Sequence, residues 1–154
     1  MIGKIALGCD GAGFELMTKI KAHLDNCGRE YIDFGTDSDA GCDYPMFAAR
    51  VTAAVRDGRA VCGILICGTG IGISIAANKA MGIRCALCHD TFSARGTREH
   101  NDANVLAMGA RVVGAGLASD IVDIFLATPF SGEQRHIRRI EMITGMETEA
   151  QNHD

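Results

Sequence analysis

Strand-like and helix-like segments alternate along the whole chain, and this alternation limits the possible folds more than any other feature. Short apolar runs predict strands at residues 4–9, 30–34, 62–66, 83–87 and 104–107. Amphipathic or helix-favouring stretches predict helices at residues 13–27, 44–55, 71–79, 115–127 and 133–144. Repeated βα units build parallel sheets. We therefore predict a single-domain, Rossmann-like α/β fold, a doubly wound parallel sheet of about five strands with helices on both faces.

Length and composition narrow the class of protein. The 154 residues are 47% hydrophobic and carry a net charge of −4, as expected for one globular domain. We assign residues 1–146 to that domain and 147–154 to a flexible polar tail. The absence of basic runs argues against nucleic acid as a partner. No apolar stretch is long enough for a membrane span and no signal peptide is recognisable, so a cytoplasmic protein is expected.

The seven cysteines are an odd number and are scattered among predicted core elements, which favours reduced thiols over a disulfide framework. Cys85 and Cys88 have C-x-x-C spacing, but they fall in or beside a predicted strand, where residues three apart face opposite sides. No second Cys/His pair completes a zinc site. We interpret this pair as packing and predict no metal.

Polar residues follow several predicted strands: Asp10 after the first, Cys67 with Thr69 after the third, and His89-Asp90 after the fourth. Ligands of open α/β sheets bind at the carboxyl ends of strands. We therefore expect these groups to lie together and to form the functional site.

The turn after the third strand, with the sequence CGTGIG, is the strongest candidate for chemistry. Glycines permit a tight turn, and exposed backbone N–H groups at a helix start stabilise an anion such as a thiolate. The spacing matches neither the dinucleotide fingerprint nor a P-loop. The alternative is that Cys67 is an inert packing residue, as many buried cysteines are.

Several motifs in this chain resemble the ribose-5-phosphate isomerase B family, which includes the LacA and LacB galactose-6-phosphate isomerase subunits. The resemblance extends in motif order from about residue 2 to residue 145. The matching motifs are GCD at 8–10, DYP at 43–45, ILICGTGIGIS at 64–74, AANK at 76–79, GIR at 82–84, HNDANVL at 100–106 and GARVVG at 109–114.

The resemblance implies an aldose–ketose isomerase that needs no cofactor and acts through an enediolate. It implies that Cys67 is the base, since the family branch with Ser at this position has Glu where this chain has Ile71. Thr69 would relay protons, His100 would open the sugar ring and Asp10 would orient hydroxyls. The backbone from 68 to 74 would hold the enediolate oxygen. The implied substrate-binding residues are Gly68, Gly70, Ile71, Gly72, Ser74, Tyr44, Asn101, Arg111, Arg135 and Arg139.

Arg135 and Arg139 lie four residues apart on one helix face, a suitable clamp for a phosphate. The alternative is a solvated basic face, since His136 and Arg138 lie among them. The resemblance favours the phosphate clamp, with Arg111 as a weaker third candidate. It also implies a homodimer or tetramer whose sites are shared between subunits.

Gly11 departs from the family pattern, because ribose-5-phosphate isomerases of this family usually have His there. We expect the glycine to open space in the pocket. Ribose 5-phosphate is the leading substrate, with tetrulose, allose and galactose phosphates as alternatives. A non-catalytic subunit of a hetero-oligomer and a thiol-redox protein are the competing functions.

Overall fold

The computed structural model describes residues 1–151 and contains one five-stranded sheet in that range. All strand pairings are parallel, and the strand order is β2-β1-β3-β5-β4. The strands are β1 (Ile5–Cys9), β2 (Tyr31–Asp33), β3 (Cys62–Cys67), β4 (Cys85–Leu87) and β5 (Val105–Gly109). The predicted number, positions and parallel arrangement of the strands are confirmed.

Helices cover both faces of the sheet, as predicted. The helices are α1 (Phe14–Asn26), α2 (Tyr44–Arg56), α3 (Ile71–Ala77), α4 (Thr91–Asn101), α5 (Ala115–Ala127) and α6 (Gln134–Gln151). Helices α2 and α3 pack on one face, α1, α4 and α5 pack on the other, and α6 lies against α4. The connections through α1 and α4 cross the sheet in one direction and those through α2 and α3 in the other. Right-handed crossovers require this division between faces.

The sequence predicted no helix in the region of α4, and the structure corrects this. Only Ala94 and Arg98 of α4 are buried, so the helix has no apolar stripe to signal it. Asp90 begins α4 by accepting hydrogen bonds from the Ser93 backbone N–H (2.7 Å) and hydroxyl (2.8 Å). These bonds lower the pKa of the Asp90 carboxyl. Asp90, predicted as a polar group at the site, is thus a helix cap.

The last helix is longer than predicted, since α6 continues to Gln151 and does not stop at residue 144. The Glu147 carboxylate accepts a hydrogen bond from the Gly82 backbone N–H at 2.9 Å. The predicted flexible tail over residues 147–154 extends beyond the described residues, and its flexibility stays a prediction. Among the described residues, no helix is long and apolar enough to cross a membrane.

The central strands are buried on both sides, and their alternate residues enter two separate cores. Ile64 and Ile66 pack against the α1 and α5 side, whereas Leu65 and Cys67 pack against the α2 and α3 side. Cys85 and Cys88 likewise divide between the two cores, and all seven cysteines are free thiols. Burial raises the pKa of Cys85 to about 12 and that of Cys88 to about 11. The division of the two thiols between separate cores supports the interpretation of the C-x-x-C pair as packing and argues against a thiol-redox protein.

Candidate active site

The strand order reverses between β1 and β3, and this reversal sets where a ligand fits. The chain leaves β1 into α1 on one face and leaves β3 into α3 on the other, so their connecting loops diverge. Such a switch point opens a crevice at the carboxyl ends of the strands. Asp10 and Cys67 lie on either side of it. The Asp10 backbone N–H donates to the Ile66 carbonyl at 3.3 Å, which ties the start of the loop after β1 to the end of β3.

Cys67 ends β3 and is nearly buried, with 5% of its surface exposed. Its Sγ accepts a hydrogen bond from the Gly70 backbone N–H at 3.2 Å. Gly70 has a φ of +77°, and a Cβ there would lie 2.7 Å from the Met108 carbonyl carbon. Only glycine satisfies both constraints. The turn therefore holds an N–H donor against the sulfur, an arrangement that stabilises a thiolate.

Three of the backbone amides expected to hold an oxyanion are already hydrogen-bonded. Besides the Gly70 N–H, the Ile71 N–H donates to Thr69 Oγ1 at 3.3 Å and the Ser74 N–H to the Gly70 carbonyl at 3.1 Å. The Ser74 hydroxyl donates to the Ile71 carbonyl at 2.8 Å, within the helix. The expectation for the whole 68–74 backbone is thus too broad. The amides of Gly68, Thr69, Gly72 and Ile73 are the remaining candidates.

Asp10, Arg111 and Tyr44 border the crevice, and their predicted roles toward a substrate stay predictions. The Asp10 carboxylate accepts from the Gly13 N–H at 3.0 Å and so shapes the loop after β1. Arg111 follows β5, and its guanidinium Nη1 would lie 3.4 Å from a Cβ at Gly68. A Cβ at Gly72 would lie 2.6 Å from the Tyr44 ring, so the ring rests directly on the turn.

His89 is close to this edge but has a structural contact. Its Nε2 accepts a hydrogen bond from the Gly109 backbone N–H at 3.1 Å, which joins the end of β5 to the segment after β4. His89 therefore braces the sheet edge beside the site.

His100, Asn101, Arg135 and Arg139 lie apart from the Cys67 turn within one chain. Helix α4 begins beyond the carboxyl end of β4 and runs back for eleven residues, about 15 Å, to His100 and Asn101. The Asn101 carbonyl accepts from Arg84 Nε at 2.9 Å, just before β4 begins. These four residues therefore lie near the amino ends of the strands, whereas Cys67 lies at the carboxyl ends.

The second group of residues is organised by His136, which the sequence did not single out. The His136 ring lies 4.5 Å from that of His100, and its Nδ1 lies 2.7 Å from the Ser131 hydroxyl. His136 is only 3% exposed. Burial lowers its pKa, and the neighbouring Arg135, His100 and Arg139 charges lower it further. No pattern in the sequence distinguishes this histidine from the exposed arginines around it.

The end of α4 is held by two arginines that sequence reasoning also missed. Asp102 has a left-handed backbone, with a φ of 44°, rare for a residue other than glycine. Buried Arg98 donates to Asp102 Oδ1 at 2.7 Å and to the Ala103 carbonyl at 2.6 Å, while Arg84 donates to the Asp102 carbonyl at 2.8 Å. This network fixes the backbone next to His100. The i, i+4 spacing of Arg98 and Asp102 was the available signal.

Gly11 does not open the pocket, and that expectation was wrong. A Cβ at Gly11 would lie 2.1 Å from the Ala40 carbonyl oxygen and 2.7 Å from that of Asp39. The loop over residues 35–43 therefore packs directly onto Gly11 and fills the space that a side chain would need.

The fold and site define a doubly wound α/β protein with a cysteine held in a glycine-rich turn at the switch point. The family model described as Ribose/Galactose Isomerase (LacAB_rpiB) matches residues 5–143. The chain belongs to this family.

Individual relatives agree with this assignment. The chain is 54% identical over 144 residues to the Escherichia coli (strain K12) protein named ribose-5-phosphate isomerase B, covering 94% of this chain and 96% of that protein. It is 43% identical over 129 residues to the D-erythrulose-4-phosphate isomerase of Pectobacterium atrosepticum, covering 83% and 85%. The solved structure of Clostridium thermocellum ribose-5-phosphate isomerase B is 50% identical, with a TM-score of 0.93, covering 96% of this chain and 99% of that one.

Proposed function

We propose that this chain is a cofactor-independent aldose–ketose isomerase that interconverts ribose 5-phosphate and ribulose 5-phosphate. The observation that carries the proposal is the Cys67 thiol, held at the switch point with a backbone N–H donated to its sulfur. Membership of the Ribose/Galactose Isomerase family and the names of its relatives support the reaction class. The isomerase domain includes residues 1–146 together with the continuation of α6 beyond them, and the seven free thiols support a cytoplasmic setting.

In the proposed reaction, the Cys67 thiolate removes the proton from C2 of the open-chain aldose, leaving an enediolate. The thiol then returns the proton to C1, while the hydroxyl proton moves from O2 to O1. Thr69, whose side chain is exposed at the turn, is the group that passes this proton. Amides at Gly68 and Gly72, with the Arg111 guanidinium, stabilise the developing negative charge.

Substrate binding is completed by a second subunit in this proposal. Within one chain, His100, Asn101, Arg135 and Arg139 lie too far from Cys67 to share a small sugar phosphate with it. A symmetric dimer brings this group from one subunit to the Cys67 turn of the other. Phe92 is 85% exposed and lines a groove along α4 with Leu87 and His100, an apolar surface suited to subunit contact.

The phosphate-binding residues in this proposal are Arg135 and Arg139. Arg135 Nε is 2.8 Å from a Glu133 carboxylate oxygen, but the two side chains are 60% and 53% exposed. Such an exposed pair contributes at most about 1 kcal/mol. A phosphate dianion, which makes several charge-assisted hydrogen bonds, displaces it readily. His100 beside them opens the furanose ring.

A subunit-mixing experiment tests the shared site. Cys67→Ala and His100→Ala are each expected to be inactive as homodimers. In a mixed dimer, one site combines intact Cys67 with intact His100. Random reassociation of equal amounts therefore restores about a quarter of the wild-type sites. No recovery, with mixed dimers verified by mass spectrometry, would show that the site belongs to a single chain.

The substrate is tested by comparing kcat/KM over four-, five- and six-carbon aldose and ketose phosphates. The relative from Pectobacterium atrosepticum named as a D-erythrulose-4-phosphate isomerase makes a tetrulose phosphate the second candidate. We expect the highest value with ribose 5-phosphate. A higher value with a tetrulose or galactose phosphate would reassign the substrate, and inactivity on all of them would favour the non-catalytic subunit.

A further inference from the structure

A cluster of three potential metal ligands lies outside the proposed active site. His23 and Cys27 are one turn apart at the end of α1, and Asp123 faces them from α5. His23 Nε2 is 2.8 Å from Asp123 Oδ1 and 3.9 Å from Cys27 Sγ. All three donor atoms lie within 4.8 Å of one another.

We propose that His23, Cys27 and Asp123 bind a divalent zinc ion, with water as the fourth ligand. Bonds of about 2.3 Å to sulfur and about 2.0 Å to nitrogen or oxygen separate tetrahedral ligand atoms by about 3.3–3.5 Å. The two measured separations, 2.8 Å and 3.9 Å, lie on either side of this range. The third separation, between Cys27 Sγ and the Asp123 carboxylate, is at most 4.8 Å, so rotation of these exposed side chains has to bring the atoms to the tetrahedral spacing. Imidazole, thiolate and carboxylate together favour zinc over magnesium or calcium.

Binding exchanges protons for the ion. The Cys27 thiol gives its proton to solvent and binds as the thiolate. His23 binds as the neutral imidazole through Nε2, with its proton on Nδ1. The affinity therefore decreases as the pH falls.

The site is separate from the proposed chemistry. His23 lies nine residues beyond Phe14, about 14 Å along α1 from the end that follows Asp10. An ion there joins the distal part of α1 to α5 without contacting Cys67. Its expected effect is on stability, because a ligand that binds only the folded state raises the unfolding temperature.

Zinc titration of the full-length protein tests the proposal, in a Cys67→Ser background that removes the other candidate thiolate. We expect one zinc ion per subunit and a higher unfolding temperature with zinc. Cys27→Ser, His23→Gln and Asp123→Asn should each weaken binding at least about tenfold, since even outer-shell partners have effects of this size. Cys42→Ser is the matched control, because Cys42 is also exposed but is not part of the cluster.

A second measurement guards against effects on folding. Zinc should protect Cys27 from alkylation and leave Cys42 reactive, and cobalt should give a thiolate charge-transfer band that Cys27→Ser abolishes. Zinc affinity unchanged in all three variants would overturn the proposal. So would the absence of micromolar binding, or equal alkylation of both cysteines with zinc present.

Discussion

The contact between Gly11 and the 35–43 loop gives a sharp prediction, because backbone atoms form it. Replacing Gly11 by Ala places a methyl group 2.1 Å from the Ala40 carbonyl oxygen, 2.7 Å from the Ala40 carbonyl carbon and 2.7 Å from the Asp39 carbonyl oxygen. None of these atoms can rotate away as the end of a side chain can. Gly11 is not in the left-handed region, so alanine suits its backbone and the cost is steric. The loop must therefore move.

The expected loss of stability in Gly11→Ala follows from the measured effects of adding atoms to sites that are already filled. Forcing one extra carbon into a filled site costs about 1–3 kcal/mol. For a chain of this length, each kcal/mol lowers the unfolding temperature by about 2–4 °C, so Gly11→Ala should unfold about 2–12 °C earlier. Gly11→His, which introduces the side chain usual in the ribose-5-phosphate isomerases, must displace the loop further. We expect Gly11→His to change the ratio of the kcat/KM values for ribose 5-phosphate and a tetrulose phosphate by a factor equivalent to about 1–3 kcal/mol.

Calorimetry or urea unfolding measures the effect, and Gly41→Ala is the matched control. Gly41 lies in the same loop, and a Cβ there has nothing within 4 Å. The free energy of unfolding of the Gly41→Ala protein should differ from that of the unmodified protein by less than about 0.5 kcal/mol. Equal unfolding midpoints for Gly11→Ala and Gly41→Ala would refute the claim that the loop is packed rigidly onto Gly11.

Three further predictions concern the site. Cys67→Ala should lower kcat by at least about 10²–10⁴-fold with substrate binding largely retained, and near-normal turnover would contradict the assignment of Cys67 as the base. Turnover by the unmodified protein in deuterated water should place deuterium on the product carbon. Arg135→Ala or Arg139→Ala should weaken inhibition by inorganic phosphate. Arg138→Ala is the control, because it loses the same charge and should not weaken the inhibition. Equal inhibition in all three variants would favour the interpretation of these arginines as a solvated basic face. Burial lowers the pKa of His136 below its ordinary 6.5, so the unfolded chain binds more protons and stability should fall as the pH drops below about 6.5. His136→Gln should reduce that slope in urea unfolding, and an unchanged slope would assign it to other groups.

Local sequence signals determined much of this fold, because strand and helix periodicity depends on neighbouring residues. The apolar run ending at Cys67 predicted the buried strand, and the glycines after it predicted the tight turn. The resemblance then supplied roles for side chains that local patterns cannot assign. Helix α4 was not predicted because only Ala94 and Arg98 are buried, so the helix has no apolar stripe, and its packing against α5 depends on the tertiary structure. The Arg98–Asp102 pair is local, but one charged pair at i, i+4 spacing does not identify a helix.

Only the tertiary structure decided which distant residues meet. Strand order puts Asp10 beside Cys67 and leaves His100 near the amino ends of the strands, although both had been predicted for one site. Asp123 reaches His23 across a separation of 100 residues, and no local pattern indicates that pairing. The sequence predicted open space at Gly11, and the tertiary structure fills that space with the backbone of Ala40. These outcomes depend on how whole helices and strands pack against one another. Chain connectivity and burial together determine that packing, and the propensities of single residues do not.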